Sequence, residues 1–276
     1  MDDTPAARVK VLTWNIWWRF GPHWHDRQPA LLRTLREVDA DVVALQEVWG
    51  NPRSTQAHEF AAELGMHAGF GEPSYPPVSD VPRPNEDEEF TLGLGLLSRW
   101  PITSLERVEL PARHRPFSPV ALVARLEHPA GPLPIVVACL EYEPAYNDDR
   151  LAQAQALAVI ATDPALDGAL PIIVAGDLNA APNSAVLRPL RDVMTDAWRV
   201  GGGDTAAVTL PSSHPSAPLE AAELIDQRID HIFYRPGEWA QRVTVESVSL
   251  AGAAVDGVYP SDHRAVACQL SWRAGH

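Results

Sequence analysis

Residues 170–180, LPIIVAGDLNA, begin as an apolar run and end in an aspartate and an asparagine. The run of leucine, isoleucine and valine predicts a buried strand. Side chains two positions apart on an extended chain point to the same side, so Asp177 and Asn179 leave the strand end together. Short polar side chains at the end of a core strand need partners, which are either the backbone of a turn or the groups of a reaction.

Similar strand-like segments occur along the whole chain. Helical periodicity is clearest at 27–38 and recurs at 55–64 and 148–161. Two Pro-rich stretches, 71–89 and 201–223, are predicted to be long loops. Loops of this length inside a compact domain usually form the rim of a functional site or a disordered tip. We therefore predict one α/β domain over residues 1–276, a two-sheet sandwich with largely antiparallel strands and helices on its outer faces. The other strand-like segments lie at 8–16, 41–48, 90–98, 119–127, 133–141, 228–235, 242–250 and 264–272.

Composition and charge limit the class of partner. The chain has 276 residues and a formal net charge of -14, and its densest charge run, NEDEEF at 85–90, is acidic. A protein that grips long nucleic acid usually carries a basic stripe, so extended nucleic acid is a possible but disfavoured partner. Contact with a single phosphate stays compatible with this charge where a metal ion supplies the positive charge.

Targeting and redox signals favour a cytoplasmic protein. No stretch approaches the roughly 18 apolar residues of a membrane span. The first residues, MDDTPAARVK, are acidic and lead straight into a strand, which is unlike a signal peptide. Cys139 and Cys268 both lie in apolar strand-like runs, so we expect reduced core thiols. The sequence leaves the oligomeric state open.

More polar side chains lie at the edges of apolar runs. In DVVALQEV, Glu47 is an even number of positions from apolar residues, so regular strand alternation places it on their face. A carboxylate on an apolar face is costly unless it is paired or bound to a metal. Any one such residue fits a turn, an ion pair or a capped loop, but five such sites in one chain favour a functional site. Besides Glu47 and the GDLN segment, the residues concerned are Asn15, Asp230, Asp262 and His263.

The chemistry of these side chains favours a hard cation. Glu47 and Asp262, with amides nearby, suit Mg²⁺, which takes one or two carboxylates from a protein and keeps several waters. The sequence lacks the compact Cys/His array of a zinc site, a Gly-x-Ser-x-Gly elbow and a P-loop. We therefore expect Mg²⁺ as the cofactor, with Mn²⁺ as a possible substitute.

Six motifs in order resemble those of the endonuclease/exonuclease/phosphatase superfamily, which includes pancreatic-type deoxyribonucleases, abasic-site endonucleases, neutral sphingomyelinases and inositol-phosphate phosphatases. The resemblance covers nearly the whole chain. It implies a two-sheet α/β sandwich whose strand ends converge on one site, where an activated water attacks a phosphoester. The motifs are TWNI (13–16), LQEV (45–48), LLSRWPI (96–102), GDLNA (176–180), RIDHIFY (228–234) and SDHRAV (261–266).

The resemblance also implies roles for single residues. Glu47 would be the principal Mg²⁺ ligand, with Asn15 beside it and Asp262 close enough to contribute. Asp177 would orient or activate the attacking water, and Asn179 would bind a phosphate oxygen. Such a metal site and base together offset phosphoryl charge and activate the nucleophile.

The resemblance assigns the last two site residues to proton chemistry. His263 would contact the phosphoryl group or transfer a proton, and Asp230 would fix the tautomer of its imidazole. A carboxylate–imidazole pair of this kind holds the ring in one orientation and stabilises its cationic form. A protonated imidazole then offsets negative charge on the phosphoryl oxygens.

One motif departs from the superfamily pattern. Many relatives have a strand ending in THL followed by R..Q, whose histidine is thought to assist the leaving oxygen. In VACLEYEPAYNDDRLAQ (137–153), Arg150 and Gln153 keep the second half, but Cys139 stands where the histidine would be. A thiol is a weak hydrogen-bond donor and does not replace an imidazolium.

Three consequences of this departure are open. A nearby donor replaces the histidine, namely Tyr142, His114 or Arg115; a tyrosine in this neighbourhood is known in the abasic-site branch. Alternatively, the substrate has a leaving group that needs no acid. The third possibility is that the protein has lost hydrolysis and only binds. The intact remaining motifs favour the first two.

The residues after the first motif bear on the substrate. The segment NIWWRFGPHWHDR (15–27) is rich in aromatic side chains, which either line a pocket or pack on their own sheet. His23 and His25 fit solvated loop positions better than ligand positions. We expect a metal-dependent phosphoesterase, with phosphodiesters favoured, acting on a small molecule, a lipid headgroup or a nucleic-acid end. The alternatives are an endo- or exonuclease on DNA or RNA, and a non-catalytic phosphoester-binding protein.

Overall fold

The computed structural model describes residues 7–21, 24–76, 90–238 and 241–273; His23 and most of the acidic run at 85–90 lie outside these ranges. The described chain folds into twelve strands and five α-helices. The strands are β1 (Ala7–Asn15), β2 (Val42–Gly50), β3 (His67–Gly71), β4 (Thr91–Ser98), β5 (Ile102–Glu109), β6 (Val120–His128), β7 (Gly131–Cys139), β8 (Ile172–Asp177), β9 (Thr195–Asp196), β10 (Asp230–Arg235), β11 (Arg242–Ala251) and β12 (Ala265–Arg273). The helices are α1 (Trp24–Val38), α2 (Gln56–Leu64), α3 (Asn147–Ala161), α4 (Arg188–Val193) and α5 (Ala197–Val200).

The strands form two six-stranded sheets, in the orders β11-β12-β1-β2-β4-β3 and β5-β6-β7-β8-β10-β9. Among the described strands, β1 pairs in parallel with β2 and β7 with β8, while the other pairs are antiparallel. Helices α1 and α3 make the two parallel crossovers. The predicted two-sheet α/β sandwich with largely antiparallel strands is confirmed.

Apolar side chains fill three layers of this sandwich. Leu96 and Leu122, from different sheets, belong to the central cluster. Leu31 of α1 and Phe60 of α2 pack on the outer face of the first sheet, and Leu157 of α3 packs on the outer face of the second. No helix in the described ranges is long and apolar enough to cross a membrane.

Besides the two-residue strand β9, two longer strands escaped prediction because they lie at sheet edges. β3 (HAGFG) ends the first sheet and β5 (ITSLERVE) ends the second. An edge strand tolerates glycine and charged residues, so its sequence lacks the apolar run or regular alternation that marks a core strand. Both strands are only partly buried.

Gly176 is fixed by the close approach of β7. A Cβ at this position would lie 2.0 Å from the carbonyl oxygen of Ala138. We expect Gly176→Ala to lower the free energy of unfolding by at least about 3 kcal/mol, because two paired backbones would have to separate. Gly168→Ala is the matched control, since a Cβ there meets nothing within 4 Å. Urea unfolding of both variants measures the effect; a loss below about 1 kcal/mol for Gly176→Ala would contradict this account.

Candidate active site

The predicted site residues meet at one edge of the sandwich because the strands that carry them end there. Asn15 is the last residue of β1 and Asp177 the last of β8, while Asp230 begins β10 directly opposite Asp177. The two sheets are joined at this edge by a hydrogen bond from Asn15 Nδ2 to Asp177 Oδ2, at 3.1 Å. The sandwich itself therefore builds one polar cluster from distant parts of the chain.

Glu47 reaches this cluster through a bulge in β2. Its φ is +55°, and the register with β4 shifts between Leu45 and Val48. Those two residues both pack under the helices of the first sheet, so the bulge breaks the simple alternation that placed Glu47 on their face. Its Oε1 instead accepts a hydrogen bond from Asn15 Nδ2 at 2.9 Å. A left-handed backbone at a residue other than glycine is strained and is typical of functional sites.

The amide of Asn15 lies between two acids. Its nitrogen donates to Glu47 and Asp177, and its oxygen accepts the backbone N–H of Trp17 at 3.0 Å. Asp262 lines the same pocket as these acids, and its Oδ1 accepts a hydrogen bond from Ser261 Oγ at 3.2 Å. The protein thus presents the carboxylate oxygens of Glu47 and Asp262, with Asn15 holding the first of them in place.

The residues present fit a divalent cation. Oε2 of Glu47 is buried and has no hydrogen-bond partner, which is costly for a carboxylate unless positive charge lies nearby. Burial, and next the charge of Asp262, raise the pKa of Glu47 to about 8. Burial also raises the pKa of Asp262. Hard oxygen donors from one or two carboxylates are the protein ligands that Mg²⁺ takes, so Glu47 and Asp262 fit that ion.

The GDLN segment forms both a turn and a site. The backbone N–H of Asn179 donates to Asp177 Oδ1 at 3.0 Å, which is an Asx turn, and Asn179 has a φ of +45°. Its side-chain nitrogen donates to the carbonyl oxygen of Leu140 at 2.9 Å, and Arg150 donates to its carbonyl oxygen. Both Asp177 and Asn179 still line the pocket. The turn therefore holds the two polar side chains at the pocket.

His263 stands between two aspartates. Its Nδ1 lies 2.9 Å from Asp230 Oδ2, and its Nε2 lies 3.9 Å from Asp177 Oδ2. Burial alone would lower the pKa of His263, but the charges of Asp230 and Asp177 outweigh it and raise that pKa well above the ordinary value. Burial, and next the charge of Asp230, raise the pKa of Asp177 to about 7. The ring is thus held as a cation with Nε2 available to the pocket side.

The position of the missing histidine is occupied by a buried thiol. Cys139 ends β7 and lines the pocket, and burial raises the pKa of its thiol well above the usual value. Of the three candidate donors, Tyr142 lines the pocket and is hydrogen-bonded to Arg115. Arg115 forms a two-point ion pair with Glu141 at 2.8 and 2.9 Å. His114 is bound to an exposed aspartate and is absent from the described pocket lining.

The pocket beside these groups has a volume of about 540 Å³, the size of a small-molecule site. Trp17 and Phe20 line it, so the aromatic segment after β1 contributes a wall. Trp18 instead packs in an apolar cluster with Trp49. His25 is exposed and lies in α1 rather than in a loop, with its ring in tilted contact with that of Trp24.

Arg27 supports the site but was missed by sequence reasoning. It lies on the apolar face of α1, four and eight residues before Leu31 and Leu35, and it is buried. Its guanidinium donates to five carbonyl oxygens from the loops on either side of the site, at 2.8–3.4 Å. An arginine in register with core leucines was the available signal. The carbonyls that it binds belong to Ile16, Trp17, Trp18, Phe20 and Pro260.

A second buried arginine anchors the GDLN turn from behind. Arg228 pairs with Asp196 at 2.7 Å and donates to Nδ1 of His231, whose Nε2 faces the carbonyl oxygen of Ala180 at 2.8 Å. Because Nδ1 accepts a hydrogen bond, the imidazole is neutral and carries its proton on Nε2. Burial, and next the Arg228 cation, lower the pKa of His231 to about 4.

This pKa predicts acid sensitivity. At pH values between about 4, the pKa of His231 in the folded chain, and about 6.5, the ordinary histidine pKa, His231 is protonated in the unfolded chain but not in the folded chain. The contribution of His231 to the free energy of unfolding should therefore fall as the pH drops through this window, by about 3 kcal/mol in all. Urea unfolding at several pH values should show a shallower pH dependence for His231→Gln. Equal slopes for both proteins would contradict the assignment.

Several known proteins are similar to this chain in sequence or in fold. Mouse protein angel homolog 2 is 28% identical over 168 residues, which are 59% of this chain and 30% of that protein. The structure of D. rerio TDP2 complexed with single strand DNA product is 20% identical, with a TM-score of 0.72 over 96% of this chain and 99% of that chain. The human Nocturnin catalytic domain with bound sulfate anion is 22% identical, with a TM-score of 0.71 over 96% and 95%. At identities this low, the two structural similarities show that the fold is shared and nothing more.

The sequence also matches a family model across both sheets. The matched region, residues 12–263, begins in β1 and ends at His263, so it includes every polar residue of the cluster. Five of the six motifs described above lie wholly within this range, and the sixth, SDHRAV (261–266), begins in it. The chain therefore belongs to the Endonuclease/Exonuclease/phosphatase family.

Proposed function

We propose that residues 1–276 form one catalytic domain that hydrolyses phosphoesters, phosphodiesters in preference, with a divalent cation and an activated water. The observation that carries this proposal is the convergence of Asp177, Asp230 and His263, whose ligand atoms lie within 4.8 Å of one another, beside the unpartnered Glu47 oxygen. The family assignment supports phosphoester chemistry as the reaction class. A cluster of buried acids with one cationic imidazole at a pocket is otherwise costly to fold.

Each side chain has a role that its contacts allow. Glu47 and Asp262 would hold Mg²⁺, which when bound offsets negative charge on the phosphoryl oxygens. Asp177 would take a hydrogen bond from the attacking water and orient it, because its carboxylate lines the pocket and is itself held by Asn15 and the Asx turn. A positioned carboxylate near neutral pKa suits a general base.

The remaining groups act on the phosphoryl oxygens. Nε2 of His263 would donate to one of them, because Asp230 holds the opposite ring nitrogen at 2.9 Å and keeps the ring in one orientation. The second N–H of the Asn179 amide would donate to another, since the first donates to Leu140. Two donors fixed in advance lower the cost of the charge that develops in the transition state.

A nuclease is the second candidate. The observation in its favour is the fold shared with D. rerio TDP2, whose structure holds a single strand DNA product. Binding of single-stranded nucleic acid generally combines a basic groove with stacking aromatic side chains. Trp17 and Phe20 supply aromatic faces at this pocket, so a nucleic-acid end is one form that the substrate can take.

The test of the proposed function is hydrolysis of bis-p-nitrophenyl phosphate and p-nitrophenyl phosphate, with and without Mg²⁺ or Mn²⁺. The proposal expects metal-dependent release of p-nitrophenolate that is lost in Glu47→Ala and in His263→Ala, with the diester cleaved faster. Because p-nitrophenolate leaves without an acid, the cysteine at position 139 cannot mask the activity. Folded protein without turnover would instead support the non-catalytic binding protein.

Tyr142 is proposed as the donor to the leaving oxygen, which predicts a selective loss. Tyr142→Phe should slow hydrolysis of diphenyl phosphate by about tenfold or more, because phenolate is a poorer leaving group and needs the proton. Turnover of bis-p-nitrophenyl phosphate should stay within about twofold. The matched control is Tyr75→Phe, since the Tyr75 hydroxyl is already bound to Gln153 and Glu141. An equal loss on both esters in Tyr142→Phe would rule out a donor role.

A further inference from the structure

Outside the catalytic cluster, the wall of the pocket carries negative charge. Glu143, from the loop between β7 and α3, and Glu220, from the long loop before β10, both line it. Among the described residues of the lining, none is a lysine or an arginine. A second phosphate or a carboxylate on the substrate would therefore face these two acids without a lysine or arginine of the lining to offset its charge.

Three guanidinium groups around the site already donate hydrogen bonds to acceptors of the protein. Arg115 is held by both carboxylate oxygens of Glu141, and Arg27 by five backbone carbonyls. Arg150 is buried and donates to the carbonyl oxygen of Asn179. Turning any of them toward a ligand would leave buried acceptors unsatisfied, which costs more than a typical surface ion pair returns.

The rest of the lining is apolar and aromatic. Trp17 and Phe20 contribute from the loop after β1, and Tyr142 from the loop after β7. Leu210 and Leu224 come from the long loop before β10, where they form a small apolar cluster of their own. Such walls stabilise an apolar group, and aromatic faces beside carboxylates also attract an ammonium group.

We infer that this pocket selects esters with a single phosphate whose organic group is neutral or positively charged, and that it discriminates against organic groups with further negative charge. The inference rests on the proposed function for the place of the phosphate at the catalytic cluster. The selectivity itself comes from Glu143 and Glu220, together with the absence of lysine and arginine from the described lining outside the catalytic cluster. This charge preference distinguishes the pocket from a site that holds a polyphosphate or a nucleic-acid backbone, because such a site needs contacts to several phosphates.

A matched set of ligands tests the charge preference directly. Phenyl phosphate, 4-(aminomethyl)phenyl phosphate and 4-carboxyphenyl phosphate share one phosphate and one ring and differ in the charge of the terminal group. Their dissociation constants are measured by isothermal titration calorimetry with Mg²⁺ at 0.15 M salt, which screens the charge of the rest of the protein. We expect the aminomethyl ligand to bind at least tenfold more tightly than the carboxy ligand, with phenyl phosphate between them.

Two variants locate the source of the preference. The double variant Glu143→Gln with Glu220→Gln should narrow the ratio between the two charged ligands by at least threefold. Glu246→Gln is the matched control, because Glu246 is exposed on β11 and lies outside the pocket lining, so it changes the net charge without changing the wall. In this control the ratio should stay as in the parent protein.

The outcomes separate this inference from the proposed function. A carboxy ligand that binds as tightly as the aminomethyl ligand would overturn it, as would a ratio unchanged in the double variant or no binding of all three ligands. These readouts do not depend on turnover. Failure of the proposed function shows instead as absent metal-dependent hydrolysis of bis-p-nitrophenyl phosphate by the same preparation.

Discussion

Glu47→Gln should reduce Mg²⁺-dependent hydrolysis of bis-p-nitrophenyl phosphate by about a thousandfold or more. The carboxylate is the principal proposed ligand, and its loss removes the charge that keeps the cation beside the phosphoryl oxygens. The bulge that presents it would remain, since glutamine fits the same space and can still accept the hydrogen bond from Asn15. The variant should also need at least tenfold more Mg²⁺ for half-maximal rate.

The same substitution should make the metal-free protein more stable. The Oε2 atom of Glu47 is buried without a partner near Asp262, so the metal-free protein has to bear either an unfavourable charge or the cost of protonating this carboxyl, whose pKa burial raises to about 8; a neutral amide removes both costs. Urea unfolding in EDTA measures this gain, and initial rates over a range of Mg²⁺ concentrations measure the loss of activity. Glu106→Gln, at an exposed position of the edge strand β5, is the control for the change in net charge. A Glu47→Gln protein with activity within tenfold of the parent would exclude Glu47 as the principal ligand.

Asp177→Asn should lower kcat by about a thousandfold while leaving the binding of Mg²⁺ and of phosphate ligands close to that of the parent. An amide can fill the place of the carboxylate and hold the turn, but it cannot take a proton from water, and general-base catalysis contributes about two to four orders of magnitude. A loss in kcat without a rise in KM marks an interaction made only in the transition state.

Asp177→Asn is informative because the fold should survive it. The backbone N–H of Asn179 can donate to the amide oxygen as it does to the carboxylate, so the Asx turn persists, while the hydrogen bond from Asn15 Nδ2 to Asp177 Oδ2 is lost. Removing one of two acids that face His263 also relieves buried charge. Circular dichroism and urea unfolding establish that the variant is folded, and single-turnover rates then report the chemical step. A kcat within tenfold of the parent would remove Asp177 from the role of base.

The sandwich fold could be predicted from the sequence because its core strands contain clear apolar runs. The predicted 41–48 and 90–98 segments match β2 and β4 within two residues at each end. The strand that ends in Asp177 was identified from its apolar run alone. Edge strands such as β3 could not be identified this way, because pairing on one side tolerates glycine and polar residues.

The candidate site was less accessible to sequence reasoning where its geometry departs from regular alternation. Strand parity gave the wrong face for Glu47, since a bulge with a φ of +55° depends on the pairing of β2 with β4 and leaves no simple pattern. Arg27 was missed because its acceptors are backbone carbonyls, which are the same in every sequence. The long loop before β10 could be described as a functional rim, but its apolar contribution to the pocket required the fold.

The most direct test of a metal-dependent phosphoesterase is hydrolysis of bis-p-nitrophenyl phosphate in ¹⁸O-enriched water by EDTA-treated protein, before and after Mg²⁺ is restored. This account predicts no release of p-nitrophenolate without the cation. With Mg²⁺ restored, it predicts steady release, with one ¹⁸O atom in each p-nitrophenyl phosphate formed, because water attacks phosphorus. The same rate with and without Mg²⁺, or no release after Mg²⁺ is restored to folded protein, would contradict it.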